Sequence, residues 1–192
     1  MSTLSRHCEL CDHQEFNFKT GTTCALTKRK PEFNRTCSKI ELSAKFENHL
    51  KTINIIYLHL KKKKAITIAY FITMLLIGVS IITGGILLGK YALGNRVISA
   101  VPILIIGLSL GPLVMAFGKL NSYLQEFRVS KSKKERLDEV IELYSIQYDL
   151  DIKFGKEYHD NQEVYVDLNI KIHKSNDYFK KIKAKKMSLI AI

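Results

Sequence analysis

Two long stretches without charge set what this chain can become. Between Lys64 and Lys90 lie 25 residues with no Asp, Glu, Lys, Arg or His, AITIAYFITMLLIGVSIITGGILLG. Between Arg96 and Lys119 lie 22 more, VISAVPILIIGLSLGPLVMAFG. A helix needs about 20 apolar residues to cross the hydrocarbon of a bilayer, and both stretches reach that length. A soluble core helix this long would carry a polar face, and neither stretch has one. The prediction is a transmembrane hairpin: a first span over 65–89, an external link over 90–96 and a second span over 97–118. A buried hairpin in a soluble domain is the plain alternative, but 192 residues leave too little chain to cover it.

The charge of +12 is unevenly placed. Residues 1–64 carry 13 Lys/Arg against 6 Asp/Glu, the link 89–97 carries 2 against none, and 118–192 carry 15 against 12. The four lysines 61–64 abut the first span directly. By the positive-inside rule both termini are expected in the cytoplasm, which for a bacterial chain means an inner-membrane protein. The polar start MSTLSRHCELC does not read as a signal peptide. Its cysteines are then expected in a reducing compartment, where metal binding is a better default than a disulfide.

Those cysteines are Cys8, Cys11, Cys24 and Cys37, in the pattern C-x2-C-x12-C-x12-C. A C-x2-C turn places two thiolates on one ion, and two further cysteines complete tetrahedral Zn2+ coordination. A module over 1–41 is too small for a core of its own, so metal would supply its folding energy. His7 and His13 flank the first pair as substitute ligands or as solvent-exposed side chains. A labile redox thiol cluster and incidental cysteines are the other readings. The last two cysteines do not form a second C-x2-C.

The segment CELCDHQEFNFKTGTTCALTKRKPEFNRTC resembles a short four-cysteine module at the front of many small bacterial membrane proteins. Phe16, Phe18, Gly21, Cys24, Leu26, Thr27, Lys30, Pro31, Phe33 and Cys37 carry the resemblance, over about a fifth of the chain. It implies a cytoplasmic zinc-ribbon-like cap and no activity. An Asn-Arg pair common near 12–14 in that module is missing here.

Leu42, Phe46, Leu50, Ile53, Tyr57 and Leu60, spaced 4, 4, 3, 4 and 3, predict an amphipathic stalk helix over 42–64. Its seam packs either on the helix that follows the second span or on copies of itself. Within the spans, Gly85-x3-Gly89, Gly107-x3-Gly111 and Ser80-x3-Gly84 allow close helix contact. Thr73, Ser80 and Thr83 share one broad face, either for helix packing or for lining a narrow pore in an assembly. Pro102 and Pro112 are expected to kink the second span.

After the second span a cytoplasmic helix is predicted over 119–147 and a β-hairpin over 148–173, turning at 155–162, from the alternation of Tyr148, Leu150, Ile152 and Phe154, then Val164, Val166, Leu168, Ile170 and Ile172. A basic tail, 174–192, closes the chain. Lys171, Lys174, Lys180, Lys181, Lys183, Lys185 and Lys186, with Tyr178 and Phe179 nearby, suit phosphates and stacked bases, an anionic leaflet, or solvent. No catalytic motif is present, and Asp149 and Asp151 with His159 lack supporting context. The fold class expected is a mainly α membrane protein with a four-cysteine metal module and a cytoplasmic β-hairpin, and no enzyme.

In architecture the chain is similar, at class level, to the small two-span membrane effectors of bacterial anti-phage defence. In those a cytoplasmic sensor part controls membrane permeabilisation; in the Hailong type the control is by single-stranded DNA. The resemblance implies a homo-oligomeric, channel-like effector and an acidic ligand, a single-stranded nucleic acid or a nucleotide, and it assigns no residues. A membrane-anchored zinc module that recruits a protein or nucleic acid is the competing expectation.

Overall fold

The structure, a computed structural model, describes residues 3–92, 100–158, 161–172 and 179–190; at 3, 92, 157, 158, 161, 172 and 179–190 it describes backbone alone. Helix α1 (Thr3–Glu9) leads into a small antiparallel hairpin, β1 (Gln14–Asn17) and β2 (Gly21–Cys24). Helix α2 (Ala44–Leu87) follows and ends in a π-helical turn, Leu88–Ala92. Then come α3 (Ala100–Leu108), α4 (Leu110–Leu143), β3 (Ile146–Tyr158), β4 (Asn161–Ile172) and β5 (Phe179–Ile190). The chain divides into two compact units, Met1–Ile56 with Lys131–Ile192, and Tyr57–Ser130.

The first unit is built on the stalk seam. Phe46, Leu50 and Ile53 of α2 bury against Leu137, Val140 and Ile141 of α4 and against Ile146, Leu168 and Ile170 of the sheet. Ile55 starts a second cluster with Val164 and Val166, covered by Ile152 and Phe154. Burying each such side chain contributes about 1.5–3 kcal/mol. This core takes up the early part of the seam within one chain, so these residues need no second copy.

The sheet has the order β3-β4-β5, antiparallel throughout. On β4 the buried residues Val164, Val166, Leu168 and Ile170 alternate with outward Tyr165, Asp167 and Asn169, the period-2 pattern of a half-buried strand. Three corrections follow. The predicted hairpin is a three-stranded sheet, because 179–190, read as basic tail, pairs with β4 from Asn161↔Ile190 to Lys171↔Phe179. The turn predicted at 155–162 is narrower, since β3 runs on to Tyr158 through a register shift at Phe154/Glu157. Gly155 lies in that irregular stretch of strand, where a Cβ would sit 3.2 Å from that of Glu163. The post-span helix ends at Leu143, and β3 begins at Ile146, across Ser145 at φ 53°.

The second unit is a helical hairpin. Among the described residues two helices are long and apolar enough to cross a membrane, Ala44–Tyr91 and Ala100–Leu143. They run antiparallel in register. A Cβ at Gly78 would stand 2.8 Å from Leu113 Cδ2, and one at Gly85 would stand 3.0 Å from Ile106 Cγ1. Seven residues forward on one helix therefore match seven backward on the other. Phe71 meets Phe117 edge-on at 5.4 Å. Farther along, Tyr57 and Tyr123 stack on Phe127, and Tyr123 donates a hydrogen bond to the Leu60 carbonyl at 3.2 Å.

Pro112 acts as expected. It has no N–H for the carbonyl four residues back, and the helix breaks at Ser109, whose hydroxyl donates to Ile106 O. Pro102 lies in the first turn of α3 as described, where a missing donor is tolerated. The predicted link, 90–96, begins with helical residues up to Ala92, and 93–99 lie outside the described residues.

Candidate functional site

Two places in the molecule gather the residues singled out from the sequence. The first is the cysteine module. The backbone N–H of Cys11 donates to Cys8 O at 3.0 Å, the tight turn that a C-x2-C pair requires. Cys24 sits on a second turn that the sequence did not announce: Lys28 N–H donates to Cys24 O at 2.7 Å, with Lys28 at φ 54°. Ala25 N–H closes the hairpin onto His13 O at 2.8 Å.

Cys8, Cys11, Cys24 and Cys37 line one cavity of about 540 Å³, together with His7 and His13. All four are free thiols. Burial, then the neighbouring Cys11, Cys24 and Cys37, pushes the Cys8 thiol up to about 11. The buried Cys8 thiol, held protonated beside three other thiols, is a donor that a soft cation would let ionise. As the side chains stand, however, no group of three or more His, Cys, Asp or Glu among the described residues is close enough to hold a metal ion.

The histidines differ from the solvent-exposed alternative. His7 is buried, and burial holds its pKa below the usual range. Its Nδ1 lies 3.0 Å from the Tyr144 hydroxyl, which also accepts the Cys37 N–H at 2.9 Å. Tyr144, on the segment linking α4 to β3, thus ties both ends of the cysteine module to the core of the first unit. His13 Nε2 is 3.0 Å from Glu41 Oε2 but lacks the alignment of a hydrogen bond. Sequence reasoning missed Tyr144 because nothing in the local pattern links it to cysteines more than a hundred residues away.

The second place is the outer face of the first apolar helix. An α-helix turns about 100° per residue. Gly78 and Gly85 face the other helix, so Thr73, Ser80, Thr83 and Gly84 lie on the far side, and all four are exposed. Thr73 and Thr83 return their hydroxyl protons to Ala69 O and Val79 O. A shallow groove of about 450 Å³ runs beside Thr73, Leu76, Ile77, Ser80 and Ile81. On the second apolar helix Gly107, Gly111 and Gly118 likewise have nothing within 4 Å of a built Cβ. Of the predicted small-residue pair Gly85-x3-Gly89, Gly85 is pressed against the partner helix and Gly89 is buried as well. Gly78, in none of the motifs, makes the closest approach.

The tail lysines form no described cluster. Lys171 is exposed at the end of β4; Lys180, Lys181, Lys185 and Lys186 face Ile170, Asn169, Val166 and Tyr165 in the β5 register; Lys183 falls in the shifted stretch; and Lys174 lies outside the described residues. Asp149 and Asp151 are exposed on β3, and His159 lies outside the described residues. No protein-family model, curated protein or solved structure matches the chain.

Proposed function

We propose that this chain is a two-span membrane protein that assembles into homo-oligomers and works as a channel-like effector in a bacterial inner membrane, in anti-phage defence. One observation carries the reading. The hydroxyl face of Thr73, Ser80 and Thr83 turns away from the hairpin partner in helices otherwise covered by exposed Ile, Leu, Val and Phe. Spans that only anchor a domain have no need of such a face, whereas a ring of hairpins turns it toward a shared axis. The spans carry no Asp, Glu, Lys, Arg or His, so control lies in the basic cytoplasmic part, which on this reading binds an oligonucleotide or nucleotide through lysines of the 171–186 region. The chain performs no catalysis. Cys8, Cys11, Cys24 and Cys37 hold one Zn2+ that fixes the N-terminal module.

The oligomeric state in detergent tests this. Four or more copies around an axis are expected; a monomer contradicts the assembly. The shared cysteine cavity favours a second reading, a zinc module held on a membrane by an inert hairpin, and a monomer would leave that one standing. Elemental analysis should find about one zinc per chain, lost on Cys24→Ser or Cys37→Ser; a folded chain without metal would remove the cofactor from both readings.

A further inference from the structure

The β1–β2 hairpin carries the most exposed aromatic side chain among the described residues. Phe18 is 97% exposed and Phe16 is 63% exposed, touching each other edge-on at 5.4 Å and 79°. Neither packs on the core below. The turn between the strands places Phe18 and Lys19 at the tip, with the Lys19 N–H held by Asn17 Oδ1 at 2.9 Å. A cavity beside the tip is lined by Glu15, Phe16, Asn17, Thr20, Thr23 and the cations Lys28 and Lys30. Lys28 is bonded to Glu15 at 2.8 Å, which leaves Lys19 and Lys30 as the lysines without a carboxylate here. Residues 14–39 as a whole carry six Lys/Arg against two Asp/Glu.

We infer that this tip is a lipid-surface anchor: Phe16 and Phe18 enter the boundary between acyl chains and headgroups of an anionic bilayer, and Lys19 and Lys30 meet its phosphates. Aromatic rings at a tip with cations around them match that boundary, where apolar bodies are buried and charges stay wet. Two observations favour a lipid over a nucleic acid. The two rings are nearly perpendicular, so they offer no pair of parallel platforms for a base to enter between. The tip is a compact point rather than a groove that tracks a phosphate backbone. The inference also rests on the membrane-spanning reading, which keeps a bilayer at high effective concentration around every copy of the module.

The chain contains no tryptophan, so Phe18→Trp adds a single reporter at a site already in solvent. The full-length variant is placed in nanodiscs with and without anionic lipid, and in others carrying a lipid-borne quencher. A blue-shifted emission in anionic discs is expected, with quenching at least twofold stronger than in zwitterionic discs. Adding Lys19→Gln and Lys30→Gln should abolish the difference between lipids. Emission that stays at the water-exposed wavelength and is not quenched overturns the proposal. So does a shift produced by an oligodeoxynucleotide without anionic lipid, since this points to a nucleic acid. Resistance to alkaline extraction reads the spans separately. An embedded chain with an unquenched tip ends this inference alone, and a chain that washes off ends the membrane reading with it.

Discussion

Tyr144 shows how much one hydroxyl can organise. It accepts the Cys37 N–H and meets His7 Nδ1, so residues at both ends of the cysteine module depend on it. Tyr144→Phe leaves a partly buried N–H without its acceptor, which costs about 1–3 kcal/mol. The expected outcome is a lower unfolding midpoint for the first unit and faster zinc loss to a chelator, both measurable on one sample; an unchanged midpoint would remove Tyr144 from this role. His49 gives the unit an acid limit. Burial is the main cause that holds its pKa below 6.5; Glu9 pulls it upward, and Lys45 and Lys133 push it down. A depressed histidine pKa means the unfolded chain takes up a proton first as pH falls. Stability is therefore full above pH 6.5 and declines as pH drops below it. Thermal unfolding on either side of that value, at about pH 7.5 and about pH 5.5, should show the decline, and His49→Gln should shrink it. Lys134 makes a third local tie, donating to Asp138 at 2.7 Å and to the Tyr148 hydroxyl at 3.0 Å, which fastens α4 to β3.

At the scale of elements, the apolar stretches, the stalk seam and the alternation on β3 and β4 were all legible, because in each the burial pattern repeats at the period of the backbone. The third strand was not. FKKIKAKKMSLI carries five lysines in twelve residues, and lysine is poor in strands, so pairing with β4 overrides the local preference. Gly155 looked like a turn residue but serves a strand irregularity, a use that composition cannot separate from a turn. Among the glycines, spacing alone misled. Gly78 lies outside every small-residue pair, yet its backbone takes the methyl groups of Leu113. Gly78→Ile should therefore destabilise the hairpin by roughly 1–3 kcal/mol through overpacking. Gly111→Ile, with nothing near its Cβ, should leave the hairpin's unfolding unchanged and reduce only the association of copies. Equal effects of the two substitutions on the hairpin's unfolding would mean that the contact surface is misassigned.

For the whole molecule the candidate metal site was legible as a set of four cysteines, but its tie to the core was not, because the tie is long-range. The two long apolar helices were legible as helices, whereas the direction of the hydroxyl face on the first became meaningful only once Gly78 and Gly85 were seen to face the partner. The central claim is that copies of this hairpin assemble with Thr73, Ser80 and Thr83 toward a water path. Ion flux from liposomes, followed as the protein-to-lipid ratio is raised, tests it most directly. The account predicts flux that rises more steeply than in proportion to protein and falls at least tenfold in Ser80→Leu. Liposomes that stay as tight as protein-free ones at every ratio would contradict it.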